Sequence, residues 1–375
     1  MINFTTKAIN VEKLSNIIQF LEQLAPPKLQ ESYDNSGLLV GHTGMDITGA
    51  ILCLDSTEEV IDEAIAHGCN LVIAHHPIIF SGLKRINGKN YIERTVIKAI
   101  KNDIAIYAIH TNLDNVAHGV NSEIVHRLGL EKPSILSRKK DQIGKLVTFC
   151  PIAQAEAVRT ALFAAGAGHI GNYDECSFNS EGVGTFRPNE WANPVLGQKG
   201  MRHQENETKI EVVYAKHLEG SILKALFKTH PYEEVAYELY HTENQHQRIG
   251  SGMIGQLTEP IPTAVFMEKV KQVFGLKMIR HTSIVSSTVS KIAVCGGSGS
   301  FLLSDAIAAG ADIFMTADYK YHQFFDAEGK IMILDIGHFE SEQFTKDLLY
   351  RELSAKFTTF ALRLSGIDTN PVKYF

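Results

Sequence analysis

The sequence predicts an α/β protein in which a discontinuous, two-half domain with parallel-rich sheets is interrupted by an inserted ferredoxin-like α+β domain. Three observations indicate this class. Strand-like apolar runs alternate with helical patterns over residues 1–130 and again over residues 249–375, an order typical of parallel sheets covered by helices. Residues 143–248 show a different order of strand and helix patterns. The length of 375 residues also exceeds what one hydrophobic core usually supports.

The first half of the outer domain begins with an amphipathic helix over residues 11–27, where apolar residues recur at helical spacing before a pair of prolines. Residues 50–80 give an apolar run, a helix started by a capping box from Ser56 to Glu59, and a second apolar run. This order predicts a βαβ unit. The alternation continues with a helix over 91–103, a strand over 104–110 and a helix over 119–130.

Charge and a proline in residues 131–142 predict a domain boundary. The segments that follow, two strand–helix–strand patterns separated by a region rich in glycine and asparagine, predict the two halves of a ferredoxin-like sandwich over residues 143–248. From about Ile249 the outer alternation returns, with strands and helices over residues 291–324 and 331–353.

The late half of the outer domain repeats the early one. Residues 53–76 align with residues 294–318, so that Gly68 matches Gly310 and His76 matches Asp318. In open α/β sheets, ligands bind beyond the carboxyl ends of the strands, where loops from both halves converge. We therefore expect the functional site there.

Composition argues against several classes of function. No apolar run approaches the length of a membrane span, and a net charge of -6 lacks the basic footprint of a nucleic-acid-binding surface. The opening residues carry no targeting signal, so we expect a cytoplasmic protein. The five cysteines are odd in number and form no CxxC pair, which argues against disulfides and thiolate zinc sites. Sixteen histidines make imidazole ligation the alternative to consider.

Three predicted strands are closed or followed by residues of the types that bind metals. His75 and His76 close one strand, Asp114 follows the next, and His338 and Glu342 follow a third at i,i+4 spacing, which puts both on one helical face. Taken singly, each has a plain structural role as a buried imidazole, a turn carboxylate or an acid in a first helical turn. Because all five are expected at the same sheet edge, together they predict one site.

Three imidazoles and two carboxylates suit two first-row metals. Sites of this type hold two ions about 3.5–4 Å apart and lower the pKa of the water between them towards neutrality. Such a pair needs a bridging carboxylate, for which Asp114 and Glu342 are the candidates. The ligand types leave zinc, iron, manganese, cobalt and nickel open, and we expect two divalent ions per chain.

A second layer of candidates surrounds the five. His110 and Asp34 are placed to orient ligands or substrate, and His110, Asp318 and His322 are the candidate proton-transferring groups. The loop CGGSGS over residues 295–300 lies between a strand and a helix, where a phosphate could bind, although a tight turn explains its glycines equally well.

The order of these motifs resembles a known family. DNSGLLVG, LVIAHHPIIF, HTNLD with GVN, CGGSGS, TADYKYHQ and GHFESE are similar to the successive motifs of the GTP cyclohydrolase 1 type 2 homologs, also called the Ngg-interacting-factor-three-like family. The resemblance covers nearly all of residues 1–130 and 250–375. GTFRP and HPYEEVAYELY are similar to the CutA-like inserted domain of the longer bacterial members.

The resemblance implies that His75, His76, Asp114, His338 and Glu342 bind two metals, in a ring-shaped homohexamer whose metal sites face an inner cavity. This chain departs from the family where His118 replaces a second glycine before GVN, which either adds a ligand or alters a turn.

Three functions follow from such a site. The first is metal-dependent hydrolysis of a nucleotide or related heterocycle, at C8 of guanine or at a phosphoryl group. The second is a non-catalytic metal-handling or regulatory binding protein, and the third is a scaffold with inert metals. Imidazole and carboxylate ligands serve all three, so the sequence leaves them open.

Overall fold

A computed structural model of the chain describes residues 11–375. The opening residues, in which the sequence predicts no targeting signal, lie outside the described part. The described residues form two compact units, one made of the chain up to Ser137 together with Arg248–Phe375, and the other of Arg138–Gln247. Within the described range, no helix is both long enough and apolar enough to cross a bilayer.

The first half of the outer unit alternates strands and helices, and its opening helix buries Leu14, Ile17 and Leu21. Its elements in chain order are β1 (Glu12–Lys13), α1 (Leu14–Leu24), β2 (Gly37–Val40), β3 (Asp46–Ile47), β4 (Ala50–Cys53), α2 (Glu58–Ala66), β5 (Leu71–Ala74), α3 (Tyr91–Lys101), β6 (Ala105–Ala108), α4 (Thr111–Asp114), α5 (Val120–Arg127) and β7 (Glu131–Arg138).

The inserted unit has four antiparallel strands and two helices. They are β8 (Ile143–Pro151), α6 (Ala155–Ala164), β9 (Ser177–Phe186), β10 (His203–Ala215), α7 (Glu219–Thr229) and β11 (Tyr237–His241). The sheet order β11-β8-β10-β9 with this βαββαβ connection is ferredoxin-like. Both helices pack on the sheet, with Leu146, Leu162, Ile210 and Leu226 fully buried between them. A specific likeness to CutA stays a prediction.

The second half of the outer unit returns to the alternating pattern and ends in a strand. Its elements are β12 (Gly250–Pro262), α8 (Thr263–Phe274), β13 (Arg280–His281), β14 (Thr288–Ser298), α9 (Leu303–Ala308), β15 (Ile313–Ala317), β16 (Met332–Asp335), α10 (His338–Glu342), α11 (Thr345–Lys356) and β17 (Leu362–Leu364). Short 3-10 helices lie at Pro27–Leu29, Ile152–Gln154, Lys216–Leu218, Ser300–Leu302 and Tyr321–Ala327.

Two sheets with parallel centres organise the outer unit, as the sequence predicts. One has the order β17-β4-β5-β6-β2, in which only β2 runs antiparallel to its neighbour. The other has the order β13-β16-β15-β14-β12-β7, with β14, β15 and β16 parallel. The strands β4, β5, β6, β15 and β16 are buried throughout, which explains why they read as continuous apolar runs.

The two units divide between Ser137 and Arg138, within the residues 131–142 that the sequence analysis interpreted as a boundary. The same residues also form β7, a strand at the edge of the six-stranded sheet that was not predicted. An edge position tolerates Pro133 because a strand needs backbone donors on one side only. The start of α2 is capped by Thr57, whose side chain accepts a hydrogen bond from the backbone of Val60, and not by Ser56.

Candidate metal centre

The five residues predicted to bind metals lie together at the carboxyl ends of strands in the outer unit. His75 and His76 directly follow β5, and Asp114 is the last residue of α4, which follows β6. His338 and Glu342 are the first and last residues of α10, just after β16. One turn of helix therefore brings this imidazole and this carboxylate onto the same side.

The carboxylate of Glu342 is shared between two groups of ligand atoms. Its Oε1 lies 3.7 Å from Nε2 of His75, and its Oε2 lies 2.9 Å from Nε2 of His76 and 3.1 Å from Nε2 of His338. Asp114 Oδ1 lies 3.7 Å from the same His75 nitrogen. Among the described residues, three groups of ligand atoms are close enough together to hold an ion, and two of them share Glu342: His75 with Asp114 and Glu342, and His76 with His338 and Glu342.

Each of these imidazoles is held through Nδ1. Nδ1 of His75 donates to the carbonyl of Ile109 at 2.8 Å, and Nδ1 of His76 lies 2.8 Å from Oδ1 of Asp55. Nδ1 of His338 lies 2.6 Å from Oδ2 of Asp318. With Nδ1 held in this way, each Nε2 is directed at the centre, and in the neutral imidazole its lone pair would face a metal, which is the arrangement that metal-binding histidines adopt.

Two buried atoms at the centre have no hydrogen-bonding partner among residues 11–375. They are Nε2 of His75, whose side chain is fully buried, and Oδ1 of Asp114. Leaving a buried polar atom unsatisfied destabilises a protein by roughly 1–3 kcal/mol, so such atoms are rare without a partner of another kind. A cation between them would satisfy both, and the residues therefore fit a metal ion.

The charges of the centre shift its pKa values strongly. Burial opposes protonation of His76 and His338, but their hydrogen bonds to carboxylates outweigh it and raise the pKa of His76 to about 9 and that of His338 to about 11. Burial, together with the charge of Glu342, raises the pKa of Asp114 to about 8. Burial opposes ionisation of Glu342, yet the surrounding imidazoles hold its pKa well below the usual value.

Among the second-layer candidates, His110 and Asp318 lie at the centre. One nitrogen of His110 lies within 4.8 Å of ligand atoms of His75 and His76, so His110 extends the cluster. Its Nδ1 lies 2.7 Å from Oδ1 of Asp34, whose other oxygen accepts hydrogen bonds from the backbone and the hydroxyl of Thr111. Asp34 thus orients His110 in the way that Asp318 orients His338.

His322 and His118 lie elsewhere. The ring of His322 is exposed and contacts Tyr321 and Phe325, and no contact within residues 11–375 joins it to the cluster. Asp318 has a left-handed φ of 59°, and His322 lies in the 3-10 helix Tyr321–Ala327 that follows it. Nε2 of His118 donates to the carbonyl of Leu24, so this histidine supports a turn.

The glycine-rich loop packs closely against the carboxylate of Glu342. The amide of Gly296 donates to Asn121 and that of Gly297 donates to Ser341, so neither amide is directed at an anion. Gly297 has φ +63°, and a Cβ there would collide with the carboxylate of Glu342. These two amides are therefore not available to a phosphate, and Gly297 allows the loop to pack closely against α10.

Sequence reasoning missed Asp55, the partner of His76. Asp55 lies two residues beyond β4, at the same edge of the sheet as the His pair, so the rule that located the other residues would also have found it. Its other oxygen accepts a hydrogen bond from Thr369 in the carboxy-terminal segment. Both interactions lower the pKa of Asp55 despite its burial.

A separate cavity of about 700 Å³ lies in the inserted unit. GTFRP and Tyr232–Glu234 of the second motif line it, and Oε1 of Glu207 accepts a hydrogen bond from the hydroxyl of Tyr232 there. None of the five metal-binding candidates belongs to its lining.

Comparisons with known proteins agree with these observations. The model of the Duf34/NIF3 (NGG1p interacting factor 3) family matches residues 12–371. Two relatives are each named GTP cyclohydrolase 1 type 2 homolog. That of Halalkalibacterium halodurans is 38% identical over 96% of this chain and 98% of its own length, and that of Bacillus subtilis is 36% identical over 98% and 99%.

Solved structures show the same fold. The structure of a Bacillus cereus protein related to NIF3 superposes with a TM-score of 0.84 at 37% identity, covering 98% of this chain and all of that one. The Staphylococcus aureus protein SA1388 superposes with a TM-score of 0.77 at 28% identity, covering 97% and 99%. The family resemblance found in the motifs is confirmed.

Proposed function

This chain belongs to the Duf34/NIF3 (NGG1p interacting factor 3) family, and we propose that it is a dinuclear metal protein that hydrolyses a nucleotide or a related heterocycle. The position of Glu342 carries this proposal. Its two oxygens face two different groups of imidazole and carboxylate ligands, and two further ligand atoms beside them are buried without a partner.

The ligand groups assign residues to two ions. His75 and Asp114 would hold one ion, His76 and His338 the other, and Glu342 would bridge them. Two divalent ions at such a site lower the pKa of water and stabilise negative charge that develops on a substrate oxygen. The imidazole and carboxylate donors leave the choice among first-row metals open.

The chain itself supplies orientation and proton transfer. Asp55, Asp318 and the carbonyl of Ile109 hold three imidazoles through Nδ1 with Nε2 directed at the centre, so a metal would displace protons from His76 and His338 without a change in ring orientation. His110 is the best placed group to move a proton, because Asp34 holds its Nδ1 and leaves Nε2 beside the cluster. Asp318 acts through His338 as a positioning residue.

The relatives suggest the first substrates to test. Because two of them are named GTP cyclohydrolase 1 type 2 homolog, guanine nucleotides are the natural starting set. Release of formate from the guanine ring and release of phosphate are the two hydrolytic outcomes to measure.

The decisive experiment compares the wild type with Glu342→Gln, which keeps the size of the side chain and removes its charge. We expect the metal-loaded wild type to hydrolyse a member of the set and Glu342→Gln to lose turnover by about a hundredfold or more. An equally active variant would contradict the proposal. Reversible metal binding without turnover of any nucleotide would instead support a metal-handling or regulatory protein.

We also propose that the protein assembles as a homohexamer and that the inserted unit is CutA-like. Both parts of this proposal rest on the family resemblance of the motifs, and the chain matches its relatives over nearly their whole length. Mass photometry should give six times the mass of one chain, whereas a monomer or dimer at micromolar concentration would contradict the hexamer.

A further inference from the structure

Two aromatic rings beside the metal centre are exposed although they contact each other. The side chain of Tyr33 is 64% exposed and that of Phe80 is 47% exposed, while their ring centroids lie 6.2 Å apart at an angle of 43°. Neither ring is buried in the core, so packing alone does not account for two large aromatic side chains here.

Phe80 joins this pair to the metal centre. Its ring lies 6.3 Å from that of His110 in an edge-to-face arrangement. The ring of His110 in turn lies 5.3 Å from those of both His75 and His76. The aromatic pair therefore continues directly from the histidine cluster.

Tyr33 lies in the electrostatic field of the same centre. Partial burial, followed by the charges of Glu31, Asp34 and Asp114, raises the pKa of its hydroxyl. Asp34, the next residue, holds His110 through a 2.7 Å hydrogen bond. The ring is thus attached to a backbone that the site itself anchors.

The two loops that carry the rings are held firmly. The side chain of Asn35 donates to the carbonyl of Ile79 at 2.6 Å, which ties the Tyr33 loop to the Phe80 loop. The backbone of Glu31 donates to the hydroxyl of Thr111 at 2.9 Å. Aromatic rings presented by anchored loops lose little conformational freedom when a ligand binds.

We propose that Tyr33 and Phe80 form a stacking platform at the mouth of the metal centre, and that this platform selects substrates with a planar heterocyclic ring. The inference rests on the proposed function, because it names the substrate class of the same site. Aromatic faces favour a flat π system, whereas a sugar phosphate offers them little. A nucleotide would place its base on the platform and its reacting group at the metals.

Calorimetric titration of the metal-loaded protein with GMP and with ribose 5-phosphate tests this. We expect GMP to bind at least about tenfold more tightly. Tyr33→Ala and Phe80→Ala should each weaken GMP binding about tenfold, leave ribose 5-phosphate binding unchanged and keep the metal content, whereas Tyr33→Phe and Phe80→Tyr should retain tight binding. Tyr173→Ala, which removes an exposed tyrosine in the inserted unit, is the control and should change nothing.

Three results would overturn the platform alone: unchanged GMP affinity in both alanine variants, equal affinity of the wild type for GMP and ribose 5-phosphate, or loss of metal from the alanine variants. The last would show that the rings support the metal site itself. A wild type that takes up no metal would overturn the proposed function instead, so the two failures are distinguishable.

Discussion

Thr369 and Asp55 lie 314 residues apart in the chain, yet the hydroxyl of Thr369 donates a 2.7 Å hydrogen bond to Oδ2 of Asp55. The other oxygen of Asp55 holds Nδ1 of His76. The adjacent Asn370 donates to Glu340 in α10, the helix that begins at His338. The carboxy-terminal segment therefore contacts residues beside the metal centre in both halves of the outer unit, Asp55 in the first half and Glu340 in the second.

Replacing Thr369 should weaken metal binding through Asp55. Thr369→Val keeps the shape of the side chain and removes its donor, so we expect metal affinity to fall roughly fivefold, the effect of losing about 1 kcal/mol. Thr369→Ser keeps the hydroxyl and should retain wild-type affinity. Competition with a chromophoric chelator measures both, and equal affinities for the two variants would contradict a role for this hydrogen bond.

Gly297→Ala should disrupt the metal centre, whereas Gly310→Ala should not. Both glycines have left-handed φ angles, +63° and +69°, so alanine at either position costs about 1–2 kcal/mol of stability. Only at Gly297 does the new methyl group also meet the carboxylate of Glu342. Thermal unfolding and metal content of both variants separate the effects, and full metal content in Gly297→Ala would contradict the contact.

Metal binding should release protons near neutral pH. The raised pKa values of His76, His338 and Asp114, about 9, 11 and 8, mean that these groups hold protons at pH 7 that a metal must displace. Apparent affinity should therefore rise as the pH increases from 7 to 9. Calorimetry in buffers with different ionisation enthalpies counts the protons, and a heat that does not depend on the buffer would contradict the shifts.

His110 and His322 should behave differently although the sequence suggested both as proton-transferring groups. His110→Ala should keep its metal and lower nucleotide turnover about 10²- to 10⁴-fold, the usual contribution of general acid–base catalysis. His322→Ala should change neither, because its ring is exposed beyond the cluster. Elemental analysis and steady-state turnover decide the matter. Loss of metal from His110→Ala would indicate that His110 is a metal ligand.

Apolar periodicity predicted most of the fold, because buried parallel strands read as short apolar runs. It missed β7, whose charge and proline suit a sheet edge as well as a linker, and β17, whose three residues carry no pattern. The rule that the carboxyl ends of parallel strands converge predicted that the His pair, Asp114, His338 and Glu342 lie close together. The structure places them together.

What the sequence did not reveal depends on contacts between distant residues. The hydroxyl of Thr369 has no local signal because its partner lies at the other end of the chain. A side chain at position 297 would collide with the carboxylate of Glu342, and this contact has no signal in the local sequence. His322 was suggested because it follows Asp318, the residue equivalent to His76 in the other half, whereas the backbone has a left-handed φ at Asp318 and then forms the 3-10 helix Tyr321–Ala327, where the His322 ring is exposed.

Metal content per chain, measured by elemental analysis after dialysis against each candidate metal, tests the shared role of Glu342 most directly. We predict close to two ions for the wild type, about one for His338→Ala and for Asp114→Asn, and well below one for Glu342→Gln. His118→Ala, which changes a histidine that supports a turn, should keep two. At most one ion in the wild type, or two ions in Glu342→Gln, would contradict a site built around this carboxylate.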